Sequence, residues 1–283
     1  MPARLEDTTL GTLYLDTDHG FSGVTIDPGF PTVREDVEDR PNANGTYDGT
    51  SLIGARAVTV SALVMGTATT TRRVLVERVR AYCSPARRPV LIWDEGDGVE
   101  RRAVLRGSGA SAPLQGGLAR NLQATWACPS GVLETSALVT VEVTAGATPE
   151  AGIILPTVLP HTFPTSTVAG TTTVTNGDVY NADADHVTQL WGPVTGPRLV
   201  NITSGLVTSF PSVTLSADQY IEVDSANPSA RLNGRVAESM WGYQEPGVSD
   251  IFQLVGGVNL LRYAPSSYSG NARAVVSFRP ATL

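Results

Sequence analysis

The sequence predicts a mainly β protein with an N-terminal β-rich domain that contains one helix and a C-terminal β-sandwich. In this 283-residue chain, 28 Gly, 19 Pro and long Thr, Val and Ser tracts crowd out the residues that favour helices. Short apolar segments separated by turn residues recur throughout, and only one segment has the spacing of a helix. With 41% hydrophobic and 17% charged residues, the composition is that of a globular protein of one large or two medium domains.

The clearest strand of the first half is predicted over residues 55–66, after a segment with Asn-Gly and Asp-Gly turn signals. Apolar and polar side chains alternate along it, which is typical of a strand with one buried face. The apolar set is Val58, Val60, Ala62 and Val64, and the polar set is Arg56, Thr59 and Ser61.

A single helix is predicted over residues 69–83. Leu75, Val79 and Tyr82 recur at helical spacing on one face, and Pro85 ends the helix. The opposite, polar face is expected to hold Arg72, Arg73, Glu77 and Arg80.

Two pairs of strands are predicted after the helix. Residues 89–93 and 101–106 flank a turn rich in Asp and Gly, which indicates a hairpin. Residues 119–127 and 135–144 are expected to form a second β pair.

The composition shifts between residues 144 and 170, where Ala, Gly, Pro and Thr dominate. Such a segment is expected where few contacts cross a domain boundary, so we place the two domains at residues 1–147 and 148–283. Beyond the boundary, short segments separated by Gly, Pro, Asn and Asp predict an all-β sandwich. The predicted strands cover residues 171–176, 186–191, 198–203, 212–215, 220–224, 230–233, 259–263 and 272–279.

The sequence predicts no catalytic, cofactor or metal site. All 20 basic residues are Arg, and without Lys a P-loop for nucleotide hydrolysis is excluded. The three His residues lack metal-ligand spacing, and no Gly-x-Ser-x-Gly nucleophile elbow occurs. Cys83 and Cys128 are expected to be two buried free thiols. Neither a secretion signal nor a membrane anchor is expected.

Two sets of residues are candidates for binding surfaces. Arginine is enriched where subunits meet, so Arg56, Arg72, Arg73 and Arg80 are candidate interface residues. Three of the four Trp residues lie in apolar strands and are expected in the core, whereas a core position is least certain for Trp241, in the segment Ser239-Met-Trp-Gly-Tyr243. Trp241 and Tyr243 are the candidate contacts of a glycan.

Several segments resemble one known family in the same order and at similar spacing. Residues 47–66 combine a turn, a Gly-x-Arg step and an alternating strand, and residues 176–193 begin with Asn-Gly-Asp and lead to a strand that ends in Gly. Further matches are residues 197–201, 220–224, 232–234 and 254–261. This pattern resembles the distal tail proteins of long-tailed, non-contractile bacteriophages and covers most of residues 47–283.

The resemblance implies an N-terminal ring-forming domain and a C-terminal galectin-like β-sandwich. Six copies would form a ring at the virion's tail tip that joins the tail tube to the hub and the receptor-binding apparatus. Its channel would pass tape-measure protein and DNA without specific binding, which fits the net charge of −7. The protein would be made in the host bacterial cytoplasm and would act as a structural component, not as an enzyme. The first 46 residues match the family poorly.

An alternative function from a different class remains open at this point. The C-terminal sandwich could serve as an adhesion module that recognises host cell-wall carbohydrate through Trp241 and Tyr243. A galectin-like fold does not by itself bring sugar binding, because function resides in a site.

Overall fold

The computed structural model divides the chain into two compact units. It describes residues 3–35, 38–39, 46–47, 51–66, 69–113, 119–146, 170–177, 182–247 and 250–283. The first unit comprises Met1–Ala137 with Thr282–Leu283, and the second comprises Leu138–Ala281. The predicted fold class is confirmed, because strands dominate both units and there is one α-helix in the described part of the chain.

The elements of the first unit are β1 (Ala3–Asp7), β2 (Gly11–Leu15), β3 (Phe21–Asp27), β4 (Pro31–Glu35), β5 (Glu38–Asp39), β6 (Thr46–Tyr47), β7 (Ser51–Met65), α1 (Thr69–Tyr82), β8 (Val90–Asp94), β9 (Glu100–Val104), β10 (Arg106–Ser111), β11 (Ala119–Cys128) and β12 (Leu133–Thr135). The elements that follow are β13 (Val139–Thr144), β14 (Thr171–Asn176), β15 (His186–Trp191), β16 (Val194–Thr195), β17 (Arg198–Asn201), β18 (Leu206–Ser209), β19 (Thr214–Leu215), β20 (Tyr220–Asp224), β21 (Ser229–Leu232), β22 (Gly257–Tyr263), β23 (Ser267–Tyr268), β24 (Arg273–Phe278) and β25 (Ala281–Thr282). Short 3-10 helices lie at Thr17–His19 and Trp241–Tyr243.

The first unit is built on two main sheets. One has the strand order β2-β1-β8-β9-β12-β25, and the other has the order β10-β11-β7-β3, with β4 paired to the N-terminal part of β7. The predicted hairpin is confirmed, since β8 pairs with β9 from Val90↔Val104 to Asp94↔Glu100.

Strand β7 and helix α1 form the core of the first unit. The predicted alternation of β7 is confirmed for its apolar residues, which are buried: Val58, Val60, Ala62 and Val64. The helix packs Val76, Val79 and Tyr82 into the same cluster. The indole Nε1 of Trp126 donates to the carbonyl of Tyr82 at 3.3 Å, which attaches β11 to the end of the helix. At 14 residues, α1 is short, and no helix in the described ranges is long and apolar enough to cross a membrane.

One predicted strand pair is wrong. Strand β11 pairs with β7 and β10, whereas β13 pairs with β24 in the second unit. The division between units accordingly falls between Ala137 and Leu138, not between residues 147 and 148. The reason is that the shift in composition follows β13 along the chain, while the strand itself already contributes Val143 to the second core.

The second unit contains two larger sheets and one small one. Their strand orders are β13-β24-β15-β20-β21, β14-β22-β17-β18 and β19-β16-β23. Every segment predicted as a strand after residue 148 contains one, and β16, β18, β23 and β25 are additional. The hydroxyl of Tyr263 on β22 donates to the carbonyl of Trp191 on β15 at 3.3 Å, and both strands bury apolar side chains in this unit.

Buried asparagines close the ends of several strands in the second unit. The Nδ2 of Asn201 donates to Oδ1 of Asn259 at 2.9 Å. Asn176 is fully buried, donates to the carbonyls of Ala182 and Leu254 at 2.9 Å, and accepts from the backbone of Ala281 at 3.0 Å. Because these amide groups replace missing backbone partners, the Asn-Gly step at residues 176–177 acts as a buried junction as well as a turn.

The two cysteines are both buried and free, as predicted. Burial raises the pKa of the Cys83 thiol to about 12, so this thiol stays protonated and unreactive.

His186 is buried in the second unit with 4% of its surface exposed. Its Nδ1 lies 2.9 Å from the hydroxyl of Thr188, and its ring contacts Phe252 with centroids 5.2 Å apart. Among the described residues, its Nε2 is buried without a hydrogen-bond partner. This burial lowers the pKa of His186 from 6.5 to about 4, because the charged imidazolium cannot be solvated there.

We expect the His186→Gln variant to change how stability depends on pH. Between pH 6.5 and 4 the unfolded chain binds a proton at His186 that the folded chain does not, so wild-type stability falls as the pH decreases. The total loss is about 3 kcal/mol. About 2 kcal/mol of this loss falls between about pH 7.5 and about pH 5, where urea unfolding followed by tryptophan fluorescence measures it. The variant should lose less stability than wild type over this interval, and equal losses would contradict the assignment.

Candidate interaction surfaces

The described part of the chain contains no group of three or more His, Cys, Asp or Glu side chains that could hold a metal ion. His19 is exposed and lies 2.6 Å from Oδ1 of Asp16, His186 is buried, and His161 lies outside the described residues.

One extended surface lies on the sheet β10-β11-β7-β3. One side of this sheet is buried against α1 and the rest of the first core, and the opposite side is solvent-facing. We call this opposite side the outer sheet face. Its members are Ser22, Thr25, Thr59, Ser61, Leu63, Ser111, Asn121, Gln123 and Thr125.

Register brings these side chains into rows across the strands. Gln123 pairs with Ser61 on one side and with Ser111 on the other, and Ser61 also pairs with Thr25. The hydroxyls of Thr59 and Thr125 lie 3.3 Å apart. A depression of about 560 Å³ opens over Ser22, Ser61, Leu63, Ser111, Asn121 and Gln123, among others.

Charge is confined to the margins of the outer sheet face. Asp27 pairs with Thr59 at one edge strand, and Arg106 pairs with Ala127 at the other. Between them lie hydroxyl and amide side chains together with the apolar side chain of Leu63. A face of this kind is well hydrated, but it has no cluster of positive charge. It therefore offers no electrostatic site for phosphate groups.

The two edges of this sheet have complementary directions. Strand β3 is antiparallel to β7, and β10 is antiparallel to β11, which is itself antiparallel to β7. Consequently β10 and β3 run in opposite directions at opposite edges of the sheet. Within the described ranges, neither strand has a pairing partner on its outer side. Such edges are templates for antiparallel pairing with another strand.

The four candidate interface arginines do not share one environment. Arg73 and Arg80 are exposed on α1, where Nη1 of Arg80 lies 2.8 Å from Oε1 of Glu77. Arg56 and Arg72 are buried, with 2% and 6% of their surface exposed. The expectation that all four lie on accessible faces is therefore wrong.

Strand and helix geometry explain the two buried arginines. Arg56 is two residues before Val58, so the two-residue period of a strand places it on the inward side of β7. Its Nε donates to the carbonyl of Gly131 at 2.7 Å, and desolvation lowers its pKa. Arg72 is four residues before Val76 and shares the inward face of α1.

The aromatic candidates of the second unit are accessible. Trp241 and Tyr243 are 49% and 52% exposed on their 3-10 turn. Sequence reasoning missed Trp191, which is only half-buried: the Arg273 guanidinium lies 5.4 Å from its ring centroid, and the Tyr220 ring lies 4.4 Å away. The alternating pattern of β15 contained that signal, since Trp191 and Gln189 share its outward side.

Trp93 and Trp126 are buried, as expected for core residues. They lie on β8 and β11 in the core of the first unit.

No protein-family model and no curated protein matches this sequence. Solved structures do match. The crystal structure of the phage SPP1 Dit protein, described as a paradigm of the hub adsorption apparatus in phages that infect Gram-positive bacteria, superposes with a TM-score of 0.66 at 13% identity, covering 99% of each chain. Chains of the activated phage P2 baseplate match at TM-scores of 0.46 with Ca and 0.45 with Sr, at 10% and 9% identity, covering 98% of this chain and 97% of each of theirs.

The match to SPP1 Dit covers 99% of this chain and therefore includes both units. At 13% identity such a match establishes the fold. The resemblance predicted from residues 47–283 is confirmed at that level, and the chain has the fold of the phage distal tail proteins.

Proposed function

We propose that this protein is a structural component of a phage tail tip, where six copies form a ring that joins the tail tube to the hub and the receptor-binding apparatus. The observation that carries this proposal is the end-to-end match to SPP1 Dit, at 99% coverage of both chains. A match over one unit would be compatible with many functions of a β-sandwich. A match over both units favours the same kind of assembly.

The two edges of the sheet β10-β11-β7-β3 supply a route to a closed ring. If β3 of one copy pairs with β10 of the next, the new pair is antiparallel like every other pair in that sheet. The contact is head-to-tail, because it joins two different surfaces of identical chains. Repeated rotation then closes into a cyclic oligomer without leaving an unpaired edge.

In such a ring, we assign the outer sheet face to the channel. DNA slides most readily past a wall that neither attracts phosphate groups nor blocks them, and hydroxyl and amide side chains meet that requirement. The described part of the sheet offers such an uncharged wall, with Asp27 and Arg106 at its margins.

Other surfaces are assigned to partner proteins. The exposed side of α1, with Arg73 and Arg80, is proposed as a contact between neighbouring copies. The second unit is proposed to dock the hub and the receptor-binding proteins, and its galectin-like character is part of the same proposal. The tape-measure protein and DNA pass without specific binding, and the role requires no bond chemistry.

We expect the purified chain to assemble into a sixfold ring. Multi-angle light scattering should give a mass about six times the 29.7 kDa of one chain, and negative-stain images of that peak should show a central hole. A chain that remains monomeric at about 100 µM would contradict unaided assembly. Ring assembly would then require the tail tube as a template. The result would also favour glycan binding as the function.

We expect the wild-type ring not to retain DNA at about 0.15 M salt, because the outer sheet face has no cluster of cations. The Ser61→Arg/Gln123→Arg double variant adds two cations on directly paired positions, so six copies would line the channel with positive charge. This variant should retain DNA with an affinity that falls steeply as salt increases. A filter-retention assay with linear DNA measures the effect.

The matched control for the DNA experiment is Thr173→Arg/Thr175→Arg, which adds the same charge at exposed positions of β14 in the second unit. Equal retention by the control and the channel variant would show that position is irrelevant and would remove the outer sheet face from the channel.

A second candidate function is glycan binding by the second unit. The exposure of both Trp241 and Tyr243 favours it, because accessible aromatic rings stack on sugar rings. This candidate predicts that a cell-wall oligosaccharide quenches tryptophan fluorescence in a saturable way and that Trp241→Ala abolishes the effect. A flat titration with wild-type protein across a panel of such sugars would eliminate it.

A further inference from the structure

Phe30 is the most exposed large apolar side chain in the described part of the chain, at 93%. It lies in the short connection between β3 and β4, which follow one another along β7 and form the outer edge of the sheet. A single exposed apolar residue needs no explanation by itself. Phe30 calls for an explanation because it lies at the edge of the sheet and its backbone is fixed.

The connection that presents Phe30 is held in place at Gly29, directly before it. The backbone N–H of Gly29 donates to Oδ1 of Asp27 at 2.9 Å. Gly29 has φ +58°, and a Cβ there would lie 2.5 Å from the carbonyl oxygen of Ala57. The backbone therefore lies tightly against β7, where only glycine fits, and Phe30 is presented to solvent by an ordered segment.

A second residue occupies the same level of the sheet at the opposite edge. Ala57, against which Gly29 lies, pairs with Ala127, and Ala127 pairs with Arg106 at the start of β10. Arg106 is exposed and is the one charged residue of β10. The sheet thus carries a guanidinium on the row of Ala57 at one edge and, at the other edge, an aromatic ring directly after Gly29, which lies against Ala57.

We propose that Phe30 of one copy packs against Arg106 of the neighbouring copy and anchors the contact between subunits. This inference rests on the proposed ring and specifies its interface. When β3 pairs head-to-tail with the β10 of the next copy, residues at the same level of the sheet meet. An arginine over a phenyl ring is attractive through the cation–π interaction, and both groups lose water-exposed apolar surface.

Chemical cross-linking tests the contact directly. In the Phe30→Cys/Arg106→Cys double variant, each copy offers one new thiol at each edge, while Cys83 and Cys128 are buried. A short bis-maleimide should link successive copies into a ladder that ends at six chains on denaturing gels. Each single variant should give only background dimers, because one edge then has no thiol.

The energetic contribution is measured with Phe30→Ala and Arg106→Ala. Each single variant should raise the dissociation constant of one contact between subunits by about two- to thirtyfold. The double variant should be little weaker than either single one, because both remove the same interaction. Tyr268→Ala, which removes an aromatic ring of 42% exposure from the second unit, is the matched control and should leave assembly unchanged.

The outcomes separate this inference from the proposed function. A ladder ending at six supports both, and a ladder that continues without closing supports the contact but contradicts the ring. Wild-type rings combined with no ladder and unaffected alanine variants would overturn the contact and leave the ring standing. A monomeric wild-type chain with no ladder would overturn the contact and contradict unaided assembly of the ring.

Discussion

The pairing of β7 with β11 is the constraint on which the first unit depends. It runs without a register shift from Met65↔Ala119 to Arg56↔Cys128. Side chains alternate along both strands, so the pairing decides at once which residues enter the core and which form the outer sheet face. A slip of β11 by one residue would bring Thr125 into the core in place of Trp126. The uncharged face and the packed core are two consequences of one register.

Much of this arrangement could be predicted from residues alone. The period of two in β7 and of 3.6 in α1 are local signals, and turn residues mark the strands of the second unit. The partner of β11 was missed, because pairing between distant strands depends on tertiary packing that local patterns do not encode. The unit boundary was displaced for a related reason: β13 pairs with β24, which lies far along the chain.

The candidate surfaces were harder to locate than the fold. Their charge suggested that Arg56 and Arg72 are exposed. Strand and helix periodicity place both residues on inward faces, and both are buried in the structure. The outer sheet face is hard to predict from the sequence, because Thr, Ser, Asn and Gln are common throughout this chain. Its character arises because four separate strands bring such residues together, and the relation between Phe30 and Arg106 depends on the same three-strand register.

Strand β10 has the sequence Arg-Gly-Ser-Gly-Ala-Ser and carries a register shift between Gly107 and Gly109. Small side chains with little apolar area make any single pairing through this edge weak, which protects a monomer from sticking to unrelated strands. In the proposed ring, closure changes the balance. The last contact forms within one assembly at high effective concentration, so a complete circle is far more durable than any open arc. Weak edges of this kind would allow misplaced subunits to dissociate before the circle closes.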